Sequence, residues 1–494
     1  MKRGDLVTAR IERLEPSGRG VALIEGQPVL IDGGLPEQIV KLEILRIARG
    51  APQPRLANAR IVALISRGPD EPDPTIATTT GPICPGAPWY GVPLTVQTRW
   101  KQDLAATTLR AIAEAVPPGP IADALTLELL EPLVPSPQTE GYRNKVEYSC
   151  GYGRIERIPD PRHPASGRTM PEGFDPAVGF HPPGNWQLVQ SFDACPILPR
   201  FMPEMRRRLE AMCLEPGPVD NYRPWCDIGC RRSIMLRGGA GFDGTQALFI
   251  LKTGGDTAVE ARALDQFRAA LGDLPGMHLH CMQVEEGSHP RGTEAVIDLA
   301  GGPYLTMRFC DRIFRVRPGS FFQTNIPAAE QLVRRIGAWL RERPCHTLWD
   351  LYCGAGSIGL SLAGHATRLV GIEVVPAAIE DARENARENG IADATFTAAT
   401  AEQSLAEQFA AAVPDLPRSV AVVDPPRAGL HPKALKAIAA APLAGLAYVA
   451  CNPVSLVHDL PALFAAGYRL ERLIPYDFFP HTPHLELLAL LRRA

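Results

Sequence analysis

From about residue 320 the chain settles into a regular alternation of short apolar runs and amphipathic segments, and this alternation constrains the fold more than any other feature. TLWDLYCG predicts a strand entering a glycine turn, SIGLSLAGHA a helix, RLVGIEVV a strand, and PAAIEDARENARENG a helix stopped by Gly390. SVAVVDPP, LAYVACNP and LELLALL predict further strands. Near-continuous apolar strands separated by helices belong in a mostly parallel sheet covered on both faces, because each crossover lays a helix over the sheet. The expectation is a doubly wound α/β domain over 316–494, with its ligand at the carboxyl ends of the strands.

The run Asp350-Leu-Tyr-Cys-Gly-Ala-Gly-Ser-Ile-Gly359 places Gly354, Gly356 and Gly359 in a G-x-G-x-x-G spacing between a strand and a helix. Glycines there let a ligand approach the backbone closely. Glu373 ends the next predicted strand, about 20 residues on, where a carboxylate accepts hydrogen bonds from ribose hydroxyls. The pattern reads as an adenosine-ribose site. By itself it admits NAD as well as S-adenosylmethionine, and a tight turn without a ligand is the bland alternative.

Three further residues stand at predicted strand ends. Asp424 precedes Pro425 and Pro426, a rigid turn without N–H donors that fixes the carboxylate at the strand tip. Cys451 follows the apolar run LAYVA; a lone cysteine in that setting is usually a core residue. Glu486 lies in the last strand region, where a carboxylate is costly to bury unless paired or functional, and where an exposed edge position is the ordinary explanation. Taken together, an accessible thiol and a carboxylate are the parts needed for covalent catalysis with a general base.

The 494 residues exceed what one core accommodates, so about three domains are expected. Residues 1–67 read as short strands with glycine turns, a small closed β-barrel. This stretch holds eleven Lys/Arg against seven Asp/Glu in a chain of net charge −3. A basic barrel on an acidic body suits a grip on RNA, and a structural barrel with a solvated face accounts for it equally well. A Pro- and Gly-rich segment at 68–94 leads into a helix near 97–116, expected to pack on the C-terminal domain. Mixed strands and turns, with a loop-like stretch at 158–188, complete a mixed α+β central domain over 68–315. Eleven cysteines without dense spacing argue against a disulfide framework and for a reducing compartment. MKRGDLVTARIERL lacks the apolar core of a signal peptide, and no run approaches eighteen apolar residues. A cytoplasmic protein without membrane contact is expected.

GRGVALIEG and GGLPEQIVKLEI in the barrel, GYRNKVEYS at 141–149, FRVRPGSFFQTN at 314–325, WDLYCGAGSIGL, VGIEVVPAAIEDARENARENG, VVDPPRAGL, YVACNPVSLVHDL and FFPHTPHLELLALL follow one another in order. In this series the chain resembles the bacterial RNA 5-methyluridine methyltransferases, which act on 23S ribosomal RNA or on the T-loop of tRNA. The resemblance implies a TRAM (OB-like) barrel, a Rossmann-like methyltransferase domain, S-adenosylmethionine as cofactor, RNA as partner and no obligate protein partner. It implies that Gln323, Tyr352, Gly354, Gly356, Ser357, Glu373, Thr400 and Asp424 line the methyl-donor site, with Ser357 and Thr400 standing where Asn or Asp is common. Cys451 would add to carbon 6 of a uracil, and Glu486 would remove the proton from carbon 5. The base must be flipped out of any helix to be reached. Arg143 and Lys145 are the candidates for RNA contact, an ordinary solvated strand being the plain alternative. Barrel and length fit the 23S ribosomal RNA enzymes best, with tRNA as the alternative.

The departures from the family pattern are specific. Many members hold a [4Fe–4S] cluster on four cysteines. Here Cys84 and Cys195 match two of these, while Tyr90 and Pro93 stand at the other two positions. No metal cluster is expected, because two thiolates do not make a four-cysteine site; Cys226 and Cys230 lie elsewhere in the chain. Ala450 stands where Ser is usual and His458 where Arg is usual. The rival readings are an RNA-binding protein with a decayed methyltransferase domain, an NAD-linked oxidoreductase and an adenine N-methyltransferase. The latter two have no use for the Cys451/Glu486 pair.

Overall fold

The computed structural model describes residues 2–47, 57–71, 84–153, 175–181, 186–192, 194–215, 219–223, 227–254, 256–284, 296–343 and 345–493. The first six strands, β1 (Leu6–Arg10), β2 (Arg13–Leu14), β3 (Gly20–Ile24), β4 (Gln27–Ile31), β5 (Ile39–Ile47) and β6 (Ala57–Ser66), form one sheet in the order β1-β5-β6-β4-β3-β2. It curls around its own core of Ile11, Ala22, Val29, Ile31, Val40, Leu42 and Ile44. Burial alternates along β1, turning Val7 and Ala9 inward, while β3 and β4 are buried along most of their length.

A second six-stranded sheet follows, built from β7 (Lys145–Tyr152), β8 (Pro176–Gly179), β9 (Arg231–Gly238), β10 (Thr245–Lys252), β11 (Met277–Val284) and β12 (Val296–Ala300) in the order β12-β11-β10-β9-β7-β8. The helices Phe201–Leu214 and Thr257–Leu271 cover one of its faces. Strand β8 falls inside the stretch read from sequence as a loop at 158–188. Its four residues are too few to register as periodic, and 158–174 and 182–185 of that stretch lie outside the described residues.

The hairpin β13 (Leu305–Phe309) and β14 (Arg312–Val316) leads into the C-terminal sheet. That sheet holds β15 (Thr347–Leu351), β16 (Arg368–Glu373), β17 (Ala394–Ala398), β18 (Ser419–Val423), β19 (Gly445–Ala450), β20 (Tyr468–Tyr476) and β21 (Glu486–Arg493) in the order β17-β16-β15-β18-β19-β21-β20. Neighbours from β17 through β19 are parallel, and β21 runs antiparallel between β19 and β20. This is a doubly wound α/β sheet, and both faces are covered as its apolar strands require. The helices Ile326–Arg341, Ser357–Leu362 and Pro376–Glu388 lie on one face with the hairpin. On the other face lie Ala401–Ala411, Pro432–Ala440 and Pro453–Ala465 together with Leu94–Ala115.

The helix Leu94–Ala115 packs against Pro453–Ala465 and fastens a loop of the C-terminal domain. Buried Lys101 donates to Asp477 (2.5 Å) and to the carbonyl of Phe479 (2.9 Å). Gln97 accepts from the backbone N–H of His481 (2.8 Å), and from the central domain Tyr142 donates to the carbonyl of Pro480 (3.0 Å). A buried lysine pairing with one carboxylate is costly to disrupt, since removing either partner strands a charge. These bonds therefore fix residues 477–484, which lead directly into β21.

Candidate active site

At the carboxyl end of β15 the chain turns through Tyr352, at a positive φ of 64°, and then Gly354 and Gly356 at 54° and 81°. A side chain on Gly356 would meet Leu360, and one on Gly359 would come within 2.6 Å of Asp350. Nothing lies within 4 Å of where a Cβ on Gly354 would stand, so the backbone there is open to a ligand. Glu373, at the end of β16, accepts from the N–H groups of Gly354 (3.2 Å) and Val375 (2.9 Å), which holds its carboxylate beside the turn. Asp350, unremarked as a functional residue in the sequence, is buried and accepts from the Gly359 N–H at 2.8 Å; burial pushes its carboxyl up to about 7. Ser357 opens the next helix. Thr400 caps the helix Ala401–Ala411, and its buried hydroxyl oxygen has no hydrogen-bond partner. Such an orphan is costly unless a ligand completes it.

A second group gathers beyond β18 and β19. Gln323 donates to Asp424 (3.1 Å), and the Asn144 side chain donates to the Gln323 carbonyl (2.9 Å), so the central domain grips this corner. Glu486 is buried on a strand flanked on both sides. The ordinary explanation of an exposed edge position is overturned, because β20 follows the core strands in sequence but takes the edge in space. The β19–β21 register runs from Gly445↔Arg492 to Ala450↔Leu487. Cys451 follows the last paired residue of β19 and Glu486 precedes the last paired residue of β21, so both lie at the same end of this strand pair.

The electrostatics agree with that proximity. Burial, then the charges of Glu486 and Asp424, push the Cys451 thiol up to about 11, with Arg427 pulling the other way. Burial raises Asp424 to about 6 and lifts Glu486 well above the usual carboxylate range, the latter also through Asp424 and against Arg427. Arg427 is thus a member of the cluster that the sequence reading did not single out. Its loop is tightly held: Leu430 N–H (2.9 Å) and the Tyr448 hydroxyl (2.6 Å) both donate to Asp459, and Asn452 donates to the Arg427 carbonyl (2.9 Å). Gly429, at φ 85°, has no room for a Cβ because Asp459 stands 2.8 Å away.

The remaining expected residues fall as follows. Arg143 and Lys145 flank Asn144 and are half-buried, and burial lowers the pKa of both. Ala450 ends β19 inside the core, and His458 lies on the exposed face of its helix. The expectation of no disulfide framework needs correction at one place: Cys84 and Cys195, with Cα atoms 5.1 Å apart, are bonded to each other. They are 111 residues apart, so local spacing carried no sign of it. Tyr90 packs on His481, and Pro93 caps the helix Leu94–Ala115. Two thiols bonded together, with Tyr90 and Pro93 at the other positions, do not fit a four-thiolate cluster. Among the described residues no group of three or more His, Cys, Asp or Glu is placed to hold a metal ion; Cys226 lies outside them. No helix of the described residues is long and apolar enough to cross a membrane.

Residues 304–494 match the family model described as tRNA (uracil-5-)-methyltransferase, and residues 1–51 match the TRAM domain. An RNA methyltransferase of Chlorobaculum tepidum is 31% identical over all of this chain and 97% of its own length. Another from Caldanaerobacter subterraneus is 30% identical over the full length of both. The crystal structure of Pyrococcus abyssi tRNA (uracil-54, C5)-methyltransferase in complex with S-adenosyl-L-homocysteine shares the fold, with a TM-score of 0.66 at 22% identity over 98% of this chain and 100% of that one. A relative this similar along its whole length, with the family model over the sheet that carries the site, places the chain among the S-adenosylmethionine-dependent RNA (uracil-C5)-methyltransferases, with a TRAM domain at residues 1–51.

Proposed function

We propose that the protein methylates carbon 5 of one uridine in 23S ribosomal RNA through a covalent bond between Cys451 and carbon 6 of the base. The observation that supports this reading is that Cys451 and Glu486 flank the end of the β19–β21 pairing, near enough for the Glu486 charge to act on the thiol. The donor-site residues fit S-adenosylmethionine. Glu373 is held to accept from ribose hydroxyls, the open backbone at Gly354 admits close approach, and the orphaned Thr400 hydroxyl awaits a partner. The donor supplies an electrophilic methyl group on a positively charged sulfur.

In the free cleft, three acidic groups crowd together and each holds its proton more tightly than usual. A positive charge beside them favours the ionised forms. Cys451 then loses its proton to solvent at the cleft mouth, and its sulfur bonds to carbon 6. The electrons of the carbon 5–carbon 6 double bond move onto oxygen 4 as an enolate, which makes carbon 5 nucleophilic. After carbon 5 has taken the methyl group, the Glu486 carboxylate removes the carbon 5 proton. The double bond re-forms as the carbon–sulfur bond breaks. Asp424, held by Gln323, keeps its charge close to the incoming cation. Half-buried Arg143 and Lys145 offer positive charge to the RNA backbone.

The barrel and chain length favour 23S ribosomal RNA, which places the protein in the cytoplasm. A second reading, tRNA, is favoured by the description of the family model and by the substrate of the Pyrococcus enzyme. Mapping 5-methyluridine by mass spectrometry in RNA from cells lacking the gene tests both. Loss from 23S ribosomal RNA is expected, and loss confined to tRNA would overturn the rRNA assignment. RNA containing 5-fluorouridine, which carries no removable proton at carbon 5, is expected to trap a denaturation-resistant adduct. Its absence would leave a binding-only protein.

A further inference from the structure

We infer that His484 is a specificity-determining residue, whose Nε2–H, set by Arg427, donates to oxygen 4 of the target uracil. The inference rests on the uracil-C5 reading above. Arg427 Nη2 lies 3.1 Å from His484 Nδ1. A guanidinium has only donors, so Nδ1 must present its lone pair and the ring proton must sit on Nε2. A second proton is resisted: burial, followed by the positive charges of Arg427, Lys101 and Arg143, lowers the histidine to about 4. The ring is partly covered, with Phe479 against it at 6.0 Å between ring centres, while the residue keeps solvent-facing surface. At neutral pH it is a neutral group with one N–H left to give.

Its position follows from the order of atoms around the base. Cys451 takes carbon 6 and Glu486 addresses carbon 5. The next atom around the ring is carbon 4 with its oxygen, whereas oxygen 2 lies across it. His484 is two residues before Glu486, on the loop that Lys101, Gln97 and Tyr142 hold in place, and it is bonded to the same Arg427 whose charge acts on both Cys451 and Glu486. Uracil offers an acceptor at position 4 and cytosine offers an amino donor. A group that can only donate at that point accepts the first and rejects the second, since a mismatched buried polar group is left unpaired. The same bond strengthens as the enolate forms on oxygen 4 when sulfur adds to carbon 6.

The test uses the full chain with total bacterial RNA lacking 5-methyluridine and labelled with 5-tritiated uridine, following tritium release. His484→Ala is expected to lower kcat roughly 100-fold, with KM for RNA changed less than about threefold, as for loss of one oxyanion donor. His484→Gln keeps both an acceptor for Arg427 and a donor for the base, and should recover at least tenfold of that loss. Thermal protection by S-adenosylhomocysteine, unchanged in both variants, establishes that they are folded. A kcat for His484→Ala equal to wild type, an effect confined to KM, or no recovery by Gln would overturn the inference. A wild-type protein that releases no tritium and forms no 5-fluorouridine adduct would take down the underlying reaction as well. A normal wild type beside an unaffected His484→Ala sinks only the histidine's role.

Discussion

Two cysteine sites in this molecule put sulfur in contrasting surroundings, to opposite ends. At the tip of β19, Cys451 is half-buried, unbonded and hemmed by Asp424, Glu486 and Arg427. In the central domain, Cys84 and Cys195 are almost fully buried and bonded to each other, among apolar neighbours such as Ile197 and Phe192. The residue type is the same, so the surroundings decide the chemistry. A thiol at a strand end facing charged groups is placed to react and be regenerated, while two thiols inside an apolar cluster are placed to cross-link the chain.

Several measurements break or sharpen that contrast. Cys451→Ala should lower methyl transfer by on the order of 10⁴-fold or more and abolish the 5-fluorouridine adduct, because the proposed reaction runs through a bond from this sulfur to carbon 6. A persistent adduct would move the nucleophile elsewhere. Glu486→Gln should slow turnover by about 10²–10⁴-fold while still forming the bond to carbon 6, so that a methylated adduct accumulates on ordinary RNA. Slow turnover without accumulation would place the defect before bond formation. Cys195→Ser opens a cross-link spanning 111 residues and should cost about 3 kcal/mol in urea unfolding, with kcat per folded molecule unchanged. A kcat that falls with the bond would join the two regions that the comparison separates.

The smallest expected effect concerns Asp350. Its folded pKa, near 7, lies above that of an unfolded aspartate, so the folded protein binds the extra proton between about pH 4 and 7. The stability it contributes is therefore present below about pH 4 and lost as pH rises through 7. Asp350→Asn should flatten this slope, so that the variant gains stability relative to wild type as pH rises from 4 to 8. An unchanged slope would mean that another group titrates there.

The parts legible in the sequence are those whose determinants are local. The glycine turn after β15, the helix after it and the acidic residue closing β16 lie within a single unit of about 25 residues, and the strand–helix alternation told of a doubly wound sheet. What escaped depended on partners far along the chain. Nothing within LELLALL says that it will slot between two strands already made, because strand pairing is settled by the whole sheet. The bond from Arg427 to His484 crosses 57 residues, and the Lys101 anchor under the 477–484 loop crosses 376. Gly429 announced a turn, but not that Asp459 would press against it.

The antiparallel insertion of β21 has a consequence for the newborn polypeptide. Its two neighbours, β19 and β20, leave the ribosome before it, so the sheet waits with a vacant lane until residue 493 has emerged. On the proposed reaction, the nascent chain would hold Cys451 before Glu486 is seated beside it, and would stay silent until the last strand docks.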